Sequence, residues 1–420
     1  MGKKAAILGF GTVGQGIYEG IRSHREYIKN VLGTSIEIVA ILIKDPLKDR
    51  QIDAGVLVTN KIEDILAIPD LEIVFEAIVG KDPCFSYLKQ IIEKGCHVIT
   101  ANKAMFAAYG HELLKLAEKH HVKVKYEATV AGGVPIIGAL TNLLQANKIF
   151  EIQGILNGTS NYILTEMRKG NNSFDQALKK AQEFGYAEAD PSSDIEGFDA
   201  FYKLNILIHT VTGTNIEWNR IERKGISSIT KEQIVIADKL GLRFRHMAYF
   251  SNYPNEQPQF WVKPVLIDVN HPFYSIDGVD NTIFVKGSLI SGLTFTGPGA
   301  GKFATASAMI EDLLQIYHTK DKIKKRKDVS LIQTLNSEKN VNSNNEKNWI
   351  IFSKLNANQW NIHIQYKKKF NIDNYAIFLI SAREQVIKQY FNNANIFVYE
   401  LIGDERIDQI KINEQQLQIV

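Results

Sequence analysis

Two stretches of the chain combine residue types that could perform chemistry. Near the N-terminus, ILGFGTVGQG places Gly9, Gly11 and Gly14 at the G-x-G-x-x-G spacing typical of dinucleotide-binding turns. Further along, GYAEADPSSDIEGFDAFYK contains five acidic side chains and ends at Lys203. Carboxylates beside a lysine can bind a cationic group and transfer a proton. Whether either stretch does so depends on the elements around it.

The glycine turn has the neighbours that a dinucleotide site needs. KAAILGF before it is strand-like, and TVGQGIYEGIRSHREYI after it has a helical pattern. Gly9 permits a tight turn, Gly11 lets the backbone approach a pyrophosphate, and Gly14 lets the helix pack against the strand. The alternative is a glycine-rich turn without a ligand. The predicted cofactor contacts in this turn are Gly9, Phe10, Gly11, Thr12, Val13 and Gly14.

The end of the second strand-like run bears on the choice of cofactor. An acidic residue there would bind a ribose 2′-hydroxyl and favour NAD. In ILIKDPLKDR, Lys44 comes first and Asp45 follows, with Lys48 and Arg50 nearby. Because a lysine complements a 2′-phosphate, we predict NADP with NAD tolerated. The alternative is that Lys44 is a solvated loop lysine.

The acidic stretch also has simpler interpretations. Asp199 and Lys203 are four residues apart, and such helical pairs are usually surface ion pairs worth roughly a few tenths of a kcal/mol. Asp190 before Pro191 is expected in a turn, and Asp194 could cap a helix. Apolar residues between and after the pair argue against a fully exposed helix. Glu196 is expected to face solvent.

The order of elements predicts an α/β protein. Over about the first 125 residues, apolar strand-like runs alternate with helical patterns, which is typical of a parallel sheet covered on both faces. From about residue 127 a glycine-rich loop leads into an apolar helix, and strand-like runs and amphipathic helices follow. The basic run at 320–328 and the polar run at 336–348 indicate a linker or exposed surface.

Composition excludes several classes of protein. The 420 residues are enough for two or three domains, and a net charge of +3 does not indicate a nucleic-acid surface. Two cysteines cannot form a disulfide framework, which favours a reducing, cytoplasmic setting. No apolar run reaches the roughly 20 residues of a membrane span, and the N-terminus lacks a signal-peptide pattern. Cys84 and Cys96 are expected to be structural rather than nucleophilic.

Six segments, in this order, resemble homoserine dehydrogenases over residues 4–315: GFGTVG, VITANKA, YEATVAGGVPII, GILNGTSNYIL, GYAEADPSSDIEGFDAFYK and GPGAGKFATASA. The resemblance is to the monofunctional form. It implies NAD(P)-dependent interconversion of L-homoserine and L-aspartate 4-semialdehyde, in threonine, methionine and isoleucine biosynthesis. It also implies a homodimer or homotetramer that acts on a small molecule, with no nucleic-acid or membrane partner.

The resemblance implies roles for individual residues. Lys203 matches the proposed acid/base, and Lys103 matches a lysine near the nicotinamide and the substrate hydroxyl. Glu188 matches the glutamate that holds the substrate, with Asp194 and Asp199 as supporting carboxylates. The remaining matches are Gly301 as a cofactor contact and a sodium loop of Glu127, Val130, Gly132 and Val134, which would offer mainly backbone carbonyls.

Elementary chemistry agrees with these roles. Reduction of an aldehyde needs a proton donor at oxygen, and a lysine with a lowered pKa can provide it near neutral pH. A carboxylate such as Glu188 would pair with the substrate ammonium. The segment from Asn157 to Tyr162 could supply donors for the substrate carboxylate. Two alternatives remain open: an enzyme for another amino-acid-derived semialdehyde or an imine, and a non-catalytic dinucleotide-binding sensor.

The predicted fold is an N-terminal Rossmann-type parallel sheet domain, then an α+β dimerisation and catalytic domain, then a small C-terminal α+β appendage. The predicted boundaries are 1–130, 131–319 with 297–319 returning to the cofactor domain, a linker at 320–348, and 349–420. The appendage lies where some family members carry a regulatory ACT domain, but it lacks the usual glycine-containing ligand loop. LGLRFRHMAYF also departs from the family's usual lysine-leucine strand.

Overall fold

The computed structural model describes residues 2–45, 50–214, 216, 221–318, 346–354, 366–391 and 396–403. The chain divides into two compact units. The first comprises Met1–Lys148, Tyr202–Glu217 and Phe295–Ile332, and the second comprises Ile149–Phe201, Trp218–Thr294 and Gln333–Val420. Among the described helices, none is both long and apolar enough to cross a membrane.

The strands of the described residues are β1 (Lys3–Leu8), β2 (Ile36–Leu42), β3 (Leu57–Thr59), β4 (Leu71–Glu76), β5 (His97–Thr100), β6 (Val124–Lys125), β7 (Ile149–Ile155), β8 (Glu222–Arg223), β9 (Arg243–Ser251), β10 (Gln259–Ile267), β11 (Asp280–Gly287), β12 (Leu293–Pro298), β13 (Lys347–Lys354), β14 (Lys368–Ile372), β15 (Tyr375–Ala382) and β16 (Ile396–Ile402).

The helices are α1 (Thr12–Ser23), α2 (Arg25–Leu32), α3 (Ile62–Leu66), α4 (Cys84–Glu93), α5 (Lys103–Lys119), α6 (Ile136–Leu143), α7 (Gly158–Lys169), α8 (Phe174–Glu183), α9 (Ser192–Ile195), α10 (Phe198–Thr212), α11 (Lys231–Lys239), α12 (Lys302–His318) and α13 (Glu384–Tyr390). A short 3-10 helix covers Glu127–Thr129.

The first sheet confirms the predicted Rossmann-type domain. Its six strands are parallel and lie in the order β3-β2-β1-β4-β5-β6. Chain order reverses between β1 and β4, and ligands of such sheets bind at the carboxyl ends of the strands beside this switch point. The helical pattern predicted after β1 is divided at His24, where the backbone leaves the helical region and α2 begins.

The second sheet is mixed and belongs largely to the second unit. Its order is β12-β11-β7-β9-β10-β16-β13-β15-β14, with β8 beside β10. A hydrophobic core on one face joins helix residues such as Ile163 and Ile234 to strand residues such as Phe244 and Phe352. Successive residues of β13 enter cores on opposite faces of the sheet, with Ile350 and Phe352 in this core and Trp349 and Ile351 in another, as the strand period of two requires.

The C-terminal segment contains both strands and a helix, as the predicted α+β appendage does. Its strands extend the second sheet. β16 pairs in parallel with β10, with Leu401 opposite Leu266. The rings of Phe244 and Phe352 lie 6.2 Å apart in the same core. The predicted linker lies outside the described residues except for 346–348, and β13 already begins at Lys347. The C-terminal strands are therefore part of the second sheet, whose other strands come earlier in the chain.

This continuity predicts the effect of Phe352→Ala, which removes a fully buried ring. We expect a loss of about 3–5 kcal/mol in the free energy of unfolding and one cooperative transition for the whole second unit. Circular dichroism during thermal and urea unfolding measures both. The control Lys388→Ala removes an exposed ion-pair partner and should cost less than about 1 kcal/mol. A separate early transition of the C-terminal strands would contradict the prediction.

Candidate active site

The predicted phosphate turn lies at the carboxyl end of β1. Gly9 has a φ of 90°, and a Cβ there would lie 2.7 Å from the carbonyl oxygen of Ala77. Its N–H donates to the carbonyl of Leu42 at 2.9 Å. A Cβ on Gly14 would lie 2.1 Å from the Gly9 carbonyl oxygen. Close backbone contact therefore requires glycine at both positions.

The N-terminus of α1 is open to a ligand. Gly11 is its N-cap, no side chain among the described residues caps the helix, and a Cβ on Gly11 would have no described atom within 4 Å. Thr12 is exposed and Val13 is half-buried. The buried ring of Phe10 packs edge-on against Tyr18 at 5.7 Å. The first N–H groups of α1 thus face open space, which fits a pyrophosphate.

Lys103 begins α5 at the carboxyl end of β5, at the same edge of the sheet as the glycine turn. The preceding residue, Asn102, fixes the start of this helix. Its Oδ1 accepts a hydrogen bond from the Met105 N–H at 3.0 Å, and its Nδ2 donates to the Gly80 carbonyl at 2.6 Å. These two hydrogen bonds therefore fix the backbone from which the Lys103 side chain extends.

A buried polar network lies behind Lys103. The Thr100 hydroxyl donates to Glu76 Oε2 at 2.5 Å and accepts from the Asn102 N–H at 3.0 Å. Burial raises the pKa of Glu76. Burial also raises the pKa of the neighbouring Cys84 thiol, and raises that of Cys96 to about 11. Neither cysteine has the low pKa of a nucleophile, as the sequence indicated.

Lys44 lies just beyond β2, and β2 is the neighbour of β1 in the sheet. Its side chain is exposed and makes no hydrogen bond or ion pair with any described residue. Arg50 donates to the Asp45 carbonyl at 2.8 Å, which keeps a second cation near the same corner. Lys48 lies outside the described residues. The two cations Lys44 and Arg50 make this end of β2 suitable for binding a phosphate on the ribose of the cofactor.

Glu127 is buried and caps α6. Its two carboxylate oxygens accept the N–H groups of Ile137 and Gly138, both at 2.7 Å. Its own N–H donates to Asp312 Oδ2 at 2.8 Å. Burial raises the pKa of Glu127, and burial raises the pKa of Asp312 to about 7. The Glu127 carboxylate is thus occupied within the protein, which leaves backbone carbonyls as the groups this loop can offer.

The rest of that loop lies against the turn before α12. Gly132 has a φ of 51°, and a Cβ there would lie 2.6 Å from the Gly299 carbonyl oxygen. Val130 and Val134 are buried. Gly301, with a φ of 131°, directly precedes α12, and α12 packs against α1. The predicted cation loop and the predicted cofactor glycine therefore belong to one packed region of the first unit.

In the second unit, Glu188 lies in an exposed turn after α8. Its carbonyl accepts a hydrogen bond from Gln182 at 3.1 Å, while its carboxylate is exposed and has no hydrogen-bond partner among the described residues. The Thr159 hydroxyl of α7 donates to the Tyr186 carbonyl at 2.5 Å, which attaches the turn to that helix. The Glu188 carboxylate is therefore exposed to solvent at the end of a turn whose backbone is held by hydrogen bonds.

Two other acids of the stretch have structural surroundings. Asp190 is an exposed turn residue, as expected, and it accepts hydrogen bonds from the N–H and hydroxyl of Ser192 at 3.1 and 2.5 Å. Glu196 was expected to face solvent, but it is half-buried and accepts a hydrogen bond from Ser227 at 3.0 Å. The segment that follows β8 folds over this acid.

One amide joins the two predicted supporting carboxylates. Asn157 Nδ2 donates to Asp194 Oδ1 at 2.7 Å and to Asp199 Oδ2 at 2.8 Å. Its Oδ1 accepts the Ser160 N–H at 2.8 Å and so caps α7. Asp194 lies within α9 and not at its N-cap, which corrects that alternative. The sequence placed Asn157 in a segment for the substrate carboxylate and missed this contact.

Lys203 and Asp199 are one turn apart on α10. Asp199 is 1% exposed and Lys203 is 7% exposed. The alternative that they form a surface ion pair is therefore wrong. A buried lysine and a buried carboxylate at this spacing are costly unless the surroundings compensate them, which is typical of functional sites.

The turn before α10 rests on a buried histidine that sequence reasoning missed. Gly197 has a φ of 80°, and a Cβ there would lie 2.9 Å from His246 Cε1. His246 Nε2 donates to the Lys224 carbonyl at 3.0 Å, and burial lowers its pKa to about 4, so the ring is neutral. The Arg223 guanidinium lies 3.6 Å from the centroid of the Phe198 ring. These contacts fix where α10 starts.

The first unit thus offers a dinucleotide site, and the second unit offers oriented carboxylates on the segment leading to Lys203. This combination defines an NAD(P)-dependent oxidoreductase. The family described as "Homoserine dehydrogenase, NAD binding domain" matches residues 9–127, and "Homoserine dehydrogenase" matches residues 135–314. The chain belongs to the homoserine dehydrogenase family, whose members act on a CH–OH group with NAD(P).

Individual relatives agree. The chain is 35% identical to a homoserine dehydrogenase of Bacillus subtilis over 314 residues, which are 74% of this chain and 72% of the relative. It is 37% identical to that of Lactococcus lactis over 335 residues, 79% and 76% of the two chains. The crystal structure of a homoserine dehydrogenase from Thiobacillus denitrificans superposes with a TM-score of 0.85 at 29% identity, over 96% of this chain and 99% of that one.

Proposed function

We propose that the chain catalyses the reversible NAD(P)H-dependent reduction of L-aspartate 4-semialdehyde to L-homoserine, a step of threonine, methionine and isoleucine biosynthesis. The observation that carries the proposal is that Asn157, the N-cap of α7, donates hydrogen bonds to Asp194 and to Asp199, two carboxylates of the segment that ends at Lys203 of α10. A substrate with an ammonium and an aldehyde needs carboxylates to bind it and one group to transfer a proton, and this segment offers both.

The cofactor supplies the hydride when it is bound. The glycine turn and the open N-terminus of α1 hold its pyrophosphate, and Gly301 contacts it from the start of α12. Lys103 lies at the carboxyl end of β5, where it reaches the nicotinamide side of the site and the substrate hydroxyl. In this assignment the first unit binds and orients the cofactor.

The second set of residues binds and protonates the substrate. Glu188 pairs with the substrate ammonium through its exposed carboxylate, and Asp194 and Asp199 support that binding. Lys203 donates a proton to the aldehyde oxygen during reduction and accepts it from the alcohol during oxidation.

Steady-state kinetics with L-aspartate 4-semialdehyde against NADPH and NADH test the function, and we propose that NADPH is preferred. A hyperthermophilic archaeal homoserine dehydrogenase, 26% identical with a TM-score of 0.64, was solved with NADPH. Lys44→Ala should lower kcat/KM for NADPH about tenfold and leave NADH nearly unchanged. The control Lys94→Ala alters another exposed lysine. Equal losses with both cofactors would remove Lys44 from this role, and no turnover with either would reject the function.

Lys203→Ala should lower kcat by about 10²–10⁴-fold, the range typical of a lost acid/base group. Binding of NADPH, followed by its fluorescence, should be unchanged because Lys203 lies outside the glycine turn. Lys180→Ala, an exposed lysine of α8, is the matched control. If Lys203→Ala keeps its turnover while remaining folded, another residue transfers the proton.

We also propose that the loop of Glu127, Val130, Gly132 and Val134 binds a monovalent cation, with sodium the expected ion. The left-handed Gly132 and the occupied Glu127 carboxylate support coordination by backbone carbonyls. Replacing sodium chloride by choline chloride at constant ionic strength should lower both Tm and activity, because a ligand that binds only the folded state stabilises it. Identical values in the two salts would sink this assignment.

The assembly proposed from the family resemblance is a cytoplasmic homodimer or homotetramer, with a small molecule as its substrate and no nucleic-acid or membrane partner. Light scattering of the purified full-length chain distinguishes the two oligomers, and a monomer under assay conditions would reject both.

A further inference from the structure

We propose that Asn157 is a positioning residue of this reaction: its amide holds the carboxylates of Asp194 and Asp199, which support binding of the substrate ammonium, in one fixed orientation, with Asp199 one turn before the acid/base Lys203. The inference rests on the proposed function and adds a residue to it. In this assignment Asn157 does not touch the reacting atoms, and it acts through the two carboxylates.

The orientation of the Asn157 amide is fixed by its surroundings. Its Oδ1 faces the Ser160 N–H at 2.8 Å, and an N–H can only donate, so the oxygen must lie on that side. The Nδ2 group then faces the acids, and its two hydrogens serve Asp194 at 2.7 Å and Asp199 at 2.8 Å. The amide oxygen and both amide hydrogens of Asn157 are therefore used in these three hydrogen bonds.

The amide also addresses an electrostatic problem. Two carboxylate oxygens within hydrogen-bond distance of one nitrogen lie close together, and such like charges disfavour each other's ionisation. Asp199 is 1% exposed, so water screens its carboxylate poorly, whereas Asp194 is half-buried. A donor shared by both carboxylates stabilises both charges at once.

The ionisable groups near Asp194 and Asp199 bear on which groups can compensate the charge of the two carboxylates. His246 on β9 is held neutral, so it contributes no positive charge beside Asp199 at neutral pH. The charged and titratable groups near the pair are Glu196 before α10, Arg223 on β8, His246 on β9 and Lys203 on α10. The Arg223 guanidinium is directed to the Glu196 carbonyl and the Phe198 ring. The Asn157 amide is a donor that both carboxylates share.

Asn157 has a second, purely structural role as the N-cap of α7, and the experiment must separate the two. Asn157→Asp does so because aspartate keeps an oxygen for the Ser160 N–H while both donors are lost. Asn157→Ser, whose short hydroxyl also caps helices but does not span to both acids, is a second variant in case a third carboxylate prevents folding. Ser173→Ala removes a side-chain N-cap from α8 in the same unit and is the matched control.

For both Asn157 variants we expect kcat/KM for L-homoserine to fall about ten- to a hundredfold, which corresponds to one hydrogen bond to a charged group. KM for the cofactor should be unchanged, and the acid limb of the pH profile of kcat/KM should move to higher pH. Ser173→Ala should lower Tm without moving the profile. In Asn157→Asp/Asp194→Asn, the new amide can donate to the new carboxylate, and part of the lost kcat/KM should return.

An Asn157→Asp or Asn157→Ser enzyme with the wild-type pH profile and kcat/KM would overturn the inference. So would losses that merely follow Tm as they do in Ser173→Ala. These outcomes differ from failure of the proposed function, in which the wild-type chain itself turns over neither L-homoserine nor L-aspartate 4-semialdehyde.

Discussion

The cofactor unit depends on backbone segments that approach too closely for any side chain. A Cβ would lie 2.7 Å from the Ala77 carbonyl oxygen at Gly9, 2.1 Å from the Gly9 carbonyl oxygen at Gly14, and 2.6 Å from the Gly299 carbonyl oxygen at Gly132. In each case the nearest atom belongs to the backbone, which cannot rotate away. The first two contacts set where α1 begins beside β1, and therefore where its N–H groups meet a pyrophosphate. The third sets the loop before α6 against the turn that leads into α12.

Buried negative charge is handled differently in the two units. In the first unit, both carboxylate oxygens of Glu127 accept hydrogen bonds from N–H groups in the first turn of α6, so this carboxylate stabilises the fold. In the second, Asp194 and Asp199 share the single amide of Asn157. Burial of charge costs free energy unless hydrogen bonds compensate it. The first arrangement directs two donors to one acid, while the second shares the two hydrogens of one amide between two acids.

The parts that sequence alone could predict are those encoded locally. The glycine spacing, the strand before it and the helix after it lie within a few residues of each other, and they specified the first sheet. Asp199 and Lys203 were recognised through a family motif, whereas spacing alone favoured a surface pair that burial excludes. Asn157 is 37 and 42 residues from its two partners. No helical or strand period links positions so far apart, and an asparagine before a helix reads first as a cap.

The pairing of the C-terminal strands could not be predicted from local sequence either, and this pairing bears on the proposed site. Their composition predicts an appendage, because pairing of Leu266 with Leu401 joins positions too distant for any local pattern to reveal. Yet β16 pairs with β10, β10 pairs with β9, and β9 carries the neutral His246 beneath the Gly197 turn that starts α10. Loosening of the C-terminal strands would therefore weaken the sheet under that turn. Since Asp199 follows the turn by two residues, we expect the geometry of the proposed carboxylate pair to depend on strands whose described residues include none of the proposed site residues.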